Sequence, residues 1–361
     1  MKRLLFIIDS LNVGGAETFL MKVMRCLPRE EYQFDFLVSK TGCFYESEVL
    51  ECGGKIYEVP PRRTDFIGAF KKIKNVVKEN EYNYVFRLGD DPIVGVDLIA
   101  AKLGGARYLV FRSCNALTGL SLKTRIMNAI MRPILNGITT TKLAPSKLAA
   151  EFTFGKRNIK NVHIINNGVD LDVFHFDKVG REKIRDEFNL QEKFVVGHIG
   201  RFNKQKNHRY LLNVFKEITK LRNDAVLMLV GKGELEGDIK KWMEELGLQN
   251  RVIFTGQRFD IPQLLSAMDI FVFPSLHEGM PNTVIEAQAT GLPCIIADTI
   301  TKEADITGLV KYLSLEESPA FWAKMVSEIS TENRRCTKKD FKEHGYDIKL
   351  VAKELMDLIC K

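Results

Sequence analysis

No stretch of the 361 residues reaches the roughly 18 uninterrupted apolar positions of a membrane-spanning helix. The opening MKRLLFIIDS starts like a secretory leader, but its apolar stretch stops at Asp9, short of the roughly 7 to 15 residues such a leader needs. Arg3–Asp9 therefore reads as a first strand. Cysteine is sparse and scattered: seven residues (26, 43, 52, 114, 294, 336 and 360), odd in number and without a C-x-x-C pair. That spacing excludes a disulfide framework and the usual structural zinc site, and fits a reducing cytoplasm. Low-complexity segments and short internal repeats are absent too. The basic residues lack the interleaved aromatics and accompanying motif of a nucleic-acid binder, which argues against that partner.

What is present suits a globular α/β protein of two domains, since 361 residues exceed one typical domain of roughly 100 to 200. Short β-branched runs alternate with helical periods and are apolar on both faces, the pattern of buried parallel strands. RLLFIID, FDFLVS, KIYEVP, YVFRLG, RYLVFRS and TKLAPS give the first half. VHIINNG, FVVGHIG, VLMLVG, VIFTG, IFVFPS and PCIIAD give the second. The expected organisation is two doubly wound, Rossmann-like domains in tandem: residues 1–168, a linker at 169–185, residues 186–316, and C-terminal helices at 317–361 packing back across the domains. Ligands of such sheets bind beyond the C-terminal strand ends, so an interdomain cleft is the expected site.

Charge is unevenly distributed. Residues 1–180 hold 26 Lys and Arg against 19 Asp and Glu, and the remainder holds 27 of each. The first half thus carries the whole excess of +7, which suits an anionic partner or simply a solvated basic face. KTRIMNAIMRPIL, residues 123–135, mixes apolar and cationic residues as an interfacial helix would, and equally as a buried helix with a basic edge.

Four strand ends carry candidate chemistry. Gly14 and Gly15 lie between the first strand and a helix, where glycine permits close ligand approach and a helix N-terminus attracts anions. The pair is not G-x-G-x-x-G and also reads as a tight turn. After FVVGHIG come Arg201 and Lys206, two cations suited to a diphosphate or to a basic surface loop. His198, inside that strand, reads as core. Gly231 and Gly233 loosen the next strand end, and Arg258 with Phe259 offers a surface for a flat ring at the one after.

The sharpest pattern is HEGMPNTVIEAQATG, residues 277–291. A loop holding Glu278 follows the buried IFVFPS strand, and Pro281 suits the start of a helix that stops at Gly291. Glu286 lies too far into that helix to be a first-turn acid favoured by the helix dipole. Amid TVIEAQA it needs a hydrogen-bond partner, which paired hydroxyls of a ligand would supply.

Together GGAE, GRFNKQKN, GKGEL and HEGMPNTVIEAQATGLP resemble the retaining GT-B glycosyltransferases of family 4, in order along nearly the whole chain and most strongly over residues 194–298. The resemblance implies a GT-B fold and a nucleotide diphosphate sugar, with UDP the expected nucleotide, as donor. It implies Glu278 at the transferred sugar, Glu286 at the ribose hydroxyls, and Arg201 and Lys206 at the diphosphate. Gly279, Met280, Pro281 and Asn282 would face sugar and phosphate, and Gly15 would close the site from the first domain. No metal or other cofactor is implied. Many relatives carry a histidine after the fifth strand; here the run is FRSCNA, so Cys114 takes its place, with Ser113 and Asn115 as polar substitutes on the acceptor side. Two acidic pairs imitate metal motifs. Asp170 and Asp172 lie in the interdomain segment, and Asp90 and Asp91 read as a turn before Pro92.

The expectation is therefore a cytoplasmic, metal-independent hexosyltransferase. It would move a hexose or N-acetylhexosamine, with retention, to a lipid-linked saccharide, with peripheral contact to anionic membrane through the basic N-terminal half. A GT-B epimerase of nucleotide sugars and a catalytically silent sugar-nucleotide-binding subunit are the alternatives.

Overall fold

The computed structural model describes residues 1–89, 91–114, 121–330 and 334–360. The expected residues Asp90 and Asn115 lie outside them. The chain divides into two compact units, Met1–Gly168 with Gly345–Lys361, and Val169–His344.

The first unit runs β1 (Lys2–Ile7), α1 (Gly15–Cys26), β2 (Tyr32–Val38), α2 (Glu46–Glu51), β3 (Ile56–Glu58), α3 (Phe66–Glu79), β4 (Tyr84–Gly89), α4 (Val96–Leu103), β5 (Tyr108–Ser113), α5 (Leu122–Ile138), β6 (Thr141–Ala144), α6 (Lys147–Phe154) and β7 (His163–Ile164). Its strands form one parallel sheet in the order β3-β2-β1-β4-β5-β6-β7. Alternation along β1 divides the core: Leu4 and Phe6 join the layer under α1, whereas Leu5 and Ile7 join the layer under α3 and α4. β7 corrects one expectation. The VHIINNG run belongs to the first sheet, because His163 and Ile164 pair with Leu143 and Ala144.

The second unit contains α7 (Lys178–Glu187), β8 (Phe194–Ile199), α8 (His208–Leu221), β9 (Ala225–Val230), α9 (Glu236–Glu245), β10 (Val252–Gly256), α10 (Ile261–Ala267), β11 (Ile270–Phe273), α11 (Asn282–Ala289), β12 (Cys294–Ala297), β13 (Val310–Leu313), α12 (Pro319–Glu328) and α13 (Lys338–Glu343). Its sheet is again parallel, in the order β10-β9-β8-β11-β12-β13. Every residue of β8, β9, β11 and β12 is buried, as continuous apolar runs require of a sheet covered on both faces. β13 escaped the sequence reading because VKYL is short and only its last residue is buried. The last helix, α14 (Ile348–Ile359), returns to the first unit, where Ile348, Val351, Leu355 and Ile359 complete the core beside α1.

Residues 169–185, expected as a linker, fold into the second unit. Arg181 and Arg185 on α7 each bond one oxygen of Asp269 at 2.7 Å, and the Val195 amide at the head of β8 donates to the same carboxylate at 2.7 Å. Asp269 therefore ties α7 to the adjacent strands β8 and β11 from their N-terminal side. Removing one partner of a shielded ion pair strands the other charge, at a cost of roughly 3 kcal/mol. Asp269→Ala is expected to lower the urea midpoint of the second unit by an amount equivalent to about 3 kcal/mol. A loss below about 1 kcal/mol would show the arginines to be adequately solvated without it.

Candidate active site

Strand order reverses direction between β8 and β11 in the second unit, the switch point beyond which ligands of open parallel sheets bind. Two loops leave there, Gly200–Asn207 after β8 and Pro274–Pro281 after β11. Hydrogen bonds join them: the Leu276 amide donates to Gln205 O, and Gln205 Nε2 donates to His277 O, both at 2.8 Å. Asn203 Oδ1 accepts from the Lys206 amide, and Asn207 turns the chain into α8 at a φ of 55°. Thr299 Oγ1 holds Ser275 O from the loop after β12.

These bonds set Lys206 beside Glu278. Lys206 Nζ donates to Glu278 Oε1 at 2.7 Å, with side-chain exposures of only 16% and 11%. The ammonium lies 4.5 Å from the centre of the Phe273 ring, and its methylenes lie over Gly200, where a Cβ would come within 3.1 Å of them. Glycine is needed at two neighbouring positions for firmer reasons. Gly231 has a φ of 136°, and a Cβ there would lie 2.2 Å from Gly200 O. A Cβ on Gly233 would lie 2.4 Å from Phe202 O. Both meet backbone, which cannot swing aside.

Arg201 is different in kind. Its side chain is 71% exposed and its partner Glu234 is exposed as well, at 3.2 Å. Such a pair contributes little and leaves the guanidinium easy to redirect.

α11 starts after Pro281 without a side-chain cap, so its N-terminal amides lie at the same loop. It stops at Ala289, two residues before Gly291, whose φ is 69°. Glu286 is half-buried on this helix, one residue past the buried Ile285. Gly279 and Met280 are half-buried in the loop, as is Asn282 at the first turn. The hydroxyls of Ser275 and Thr283, on either side of the loop, are buried without a protein hydrogen-bond partner.

Beneath Lys206 lie His198, buried in the core as its place in the strand implies, and His208, which the sequence reading missed. His198 on β8 and His208 on α8 are buried with ring centres 4.8 Å apart, and His198 Nδ1 is 2.9 Å from Val272 O. Burial first, then His208 and Lys206, hold the His198 pKa well below its usual value. Burial and then Lys206 push His208 down to about 4. Both imidazoles are thus neutral, and the cation at this place is Lys206. Gln288 was also missed: its amide donates to Ala304 O at 2.7 Å and accepts from the Ile306 amide, which anchors α11 to the segment before β13. A glutamine within an apolar helical run, bound to need buried partners, was the available signal.

Two expectations need correction. Ser113 is fully buried at the end of β5, and its hydroxyl bonds Ala149 O and Thr153 Oγ1 of α6, so it cannot meet an acceptor. Arg258 is held by both oxygens of Glu187 and of Asp260. That guanidinium ties the end of β10 to α7, with its N–H groups engaged by carboxylates. Cys114 is half-buried just past β5. Gly14 and Gly15 open α1 in the first unit, Gly14 as its extended N-terminal flank. Asp170 and Asp172 serve their own turn and Lys338. Among the described residues no group of three His, Cys, Asp or Glu side chains is gathered as a metal site.

Residues 180–346 match the family described as Glycosyl transferases group 1, and residues 13–173 the one described as Glycosyltransferase Family 4. HepE of Anabaena, solved with UDP and glucose, superposes with a TM-score of 0.80 over all of both chains at 18% identity. EpsF of Bacillus subtilis, which carries a glycosyltransferase name, is 32% identical over 357 residues, 96% of this chain and 93% of its own. The chain belongs to the family 4-like GT-B glycosyltransferases. A second relative of this glycosyltransferase, the UDP-Gal:α-D-GlcNAc-diphosphoundecaprenol α-1,3-galactosyltransferase of Escherichia coli, is 39% identical over 302 residues, 79% of this chain and 76% of its own. Among the described residues no helix is long and apolar enough to cross a membrane.

The neutral histidines make the glycosyltransferase's stability pH-dependent in a defined window. His208 in the folded chain lies near 4 against 6.5 for an unperturbed histidine, so between these values the unfolded chain binds more protons. Stability is therefore full above pH 6.5 and falls as pH drops toward 4. His208 alone accounts for a loss of about 2 kcal/mol between pH 7 and pH 5, a range in which most carboxylates stay ionised. Urea unfolding at those two pH values checks this, and His208→Phe, which keeps a ring against Phe202, is expected to remove that share of the slope. An unchanged slope in the variant would refute it.

Proposed function

We propose that the chain is a retaining hexosyltransferase that moves a hexose or N-acetylhexosamine from a UDP-sugar to a hydroxyl of a lipid-linked saccharide. The observation that carries the reading is the shielded pair of Lys206 and Glu278 at the switch point of the second sheet. A carboxylate and an ammonium side by side suit a donor whose sugar develops positive charge while its diphosphate develops negative charge. Glu278 orients the sugar and favours charge at its ring. Lys206, Arg201 and the first amides of α11 receive the diphosphate, with Gly279, Met280 and Asn282 lining the path between. The unpartnered hydroxyls of Ser275 and Thr283 offer further donors to a polar ligand. Glu286 takes the ribose hydroxyls.

In the reaction the acceptor oxygen bonds to the anomeric carbon as the bond from that carbon to the β-phosphate oxygen breaks on the same face. The departing phosphate oxygen takes the acceptor's proton, so no protein nucleophile is needed. Protein cations carry out the neutralisation that a divalent metal provides elsewhere, so the reading needs no metal. Support for retention comes from the E. coli relative: an α-linked UDP-sugar giving an α-1,3 product keeps its anomeric configuration. The same relative, and an N-acetylgalactosaminyltransferase of Campylobacter jejuni 24% identical over 315 residues, act on diphospho-undecaprenol-linked saccharides, which supports a lipid-linked acceptor and a place in polysaccharide or glycolipid assembly.

Lys206→Ala and Glu278→Ala are each expected to lower turnover at least about 100-fold, the scale of losing one preorganised transition-state group. Circular dichroism should stay native. UDP should raise the melting temperature of the wild type, and Glu286→Gln should abolish that rise. Near-normal turnover in the Lys206 or Glu278 variant would sink the mechanism, and inversion of the anomeric centre in the product, read by NMR, would sink retention.

A further inference from the structure

Helix α11 is gripped at its back end. Its eight residues fall short of the roughly 12 to 15 at which an isolated helix is even marginal in water, so what it packs on sets its place. Its last carbonyls are met by a segment almost fifty residues further along the chain. There the buried Thr337 hydroxyl donates to Gln288 O and Ala289 O, 3.0 Å from each. Arg334 reaches Thr290 O just beyond, at 3.4 Å. The same segment crosses Gly291, where a Cβ would come within 2.6 Å of Arg335 O. On the other flank the Gln288 side chain accepts from the Ile306 and Thr307 amides and from the Thr307 hydroxyl. Arg335 donates to Thr307 O, and Asp340 on α13 holds another of its nitrogens at 2.7 Å. Hydrogen bonds thus form a ring: from Thr337 to the end of α11, through Gln288 to Thr307, and back to Arg335.

We infer that Thr337 and Arg335 are positioning residues for the nucleotide: they fix how far α11 projects toward the strand ends and how it is rotated, and so place its first amides and Glu286. The bonds of both residues go to the far end of α11, to Thr307 and to α13, so their effect on a ligand passes through the helix. Eight residues span only about 12 Å, and each residue turns the helix by about 100°, so a slip at the back end is carried undiminished to the front. A helix end closed by its own chain alone would tolerate such a slip. One pinned by Thr337, Gln288 and the crossing at Gly291 loses several buried bonds together if it moves. The inference rests on the reading that α11 and Glu286 receive the nucleotide.

The test is calorimetric titration of UDP into the full chain, at a temperature where circular dichroism shows each variant folded. Thr337→Val keeps the shape and removes the hydroxyl, and should weaken UDP binding about tenfold, the scale of one displaced hydrogen bond to the ligand. Thr337→Ser keeps the hydroxyl and should bind within about twofold of wild type. Arg335→Ala removes an exposed side chain and opens the ring without touching α11; it should weaken binding about threefold. A role in stability alone would lower the melting temperature of Thr337→Val and Arg335→Ala and leave their dissociation constants at the wild-type value, which would overturn the inference. If Thr337→Val does not fold, Arg335→Ala decides on the same terms. UDP binding by wild type with neither variant weakened sinks this inference alone, whereas a wild type that does not bind UDP sinks the reading of the site and this inference with it.

Discussion

A single ammonium, placed where water is scarce, constrains most of the second unit. The Lys206 ammonium lies beside Phe273 and above two histidines while its own carboxylate partner is nearly out of solvent. A charge in that position is tolerable only with a close counter-charge, which Glu278 supplies, and without a second cation beneath it. Burial removes the second cation by holding His198 and His208 neutral. The same requirement explains the glycines. The stem of Lys206 can lie flat because Gly200 has no side chain, and Gly231 and Gly233 let the β9 loop close on Gly200 and Phe202 from the other side. The site is a packing solution to one electrostatic demand.

Most of the architecture was legible because it is written in two signals. Runs such as FVVGHI and AVLMLV are apolar throughout, which in short segments bounded by glycine means a strand buried on both faces. The loops after them are marked by glycine, proline and asparagine at positions with special backbone demands, such as Asn207 and Gly291. What stayed hidden depends on partners remote in sequence. Asp269 looks like an ordinary strand-start acid until Arg181, Arg185 and Val195 meet it. Ser113 looks like a free hydroxyl at a strand end until α6 covers it. Arg258 reads as a ligand-facing cation because neither Glu187 nor its place in space can be inferred from the motif. β7 is placed in the wrong half and β13 is missed for a simpler reason: two exposed residues, and four of which only Leu313 is buried, carry too little pattern.

The two sheets share a plan, yet their switch points are occupied differently. Between β1 and β4 the buried guanidinium of Arg87 lies against Asp97 at 2.8 Å, and Arg62 joins both Asp97 and Asp9. Basic and acidic groups there largely satisfy one another. Between β8 and β11 the comparable pair among the described residues is Lys206 with Glu278, beside helix amides and hydroxyls that lack protein partners. The same topology therefore supplies a cluster of mutually paired charges in one unit, in which Arg87 Nε alone of the guanidinium lacks a hydrogen bond, and a less fully paired arrangement in the other. A polar ligand gains most where it meets the unpartnered hydroxyls of Ser275 and Thr283, because each such bond satisfies a group that burial otherwise penalises. Function follows from that difference and not from the fold.

α5 poses the reverse problem, an apolar surface left without cover. Folding alone favours turning Ile126, Ile130 and Ile134 toward the first unit and Asn128, Arg132 and Asn136 toward water, since each buried methylene contributes about 0.8 kcal/mol. The chain does the opposite and recovers the difference through directional bonds: Arg132 on the last carbonyls of α6, Asn136 on the next, Asn128 on Asp91. Arg132 also answers the negative end of the α6 dipole. These bonds specify rotation of the helix about its axis far more tightly than a greasy contact would, because a shift of one residue, about 100°, breaks all of them together.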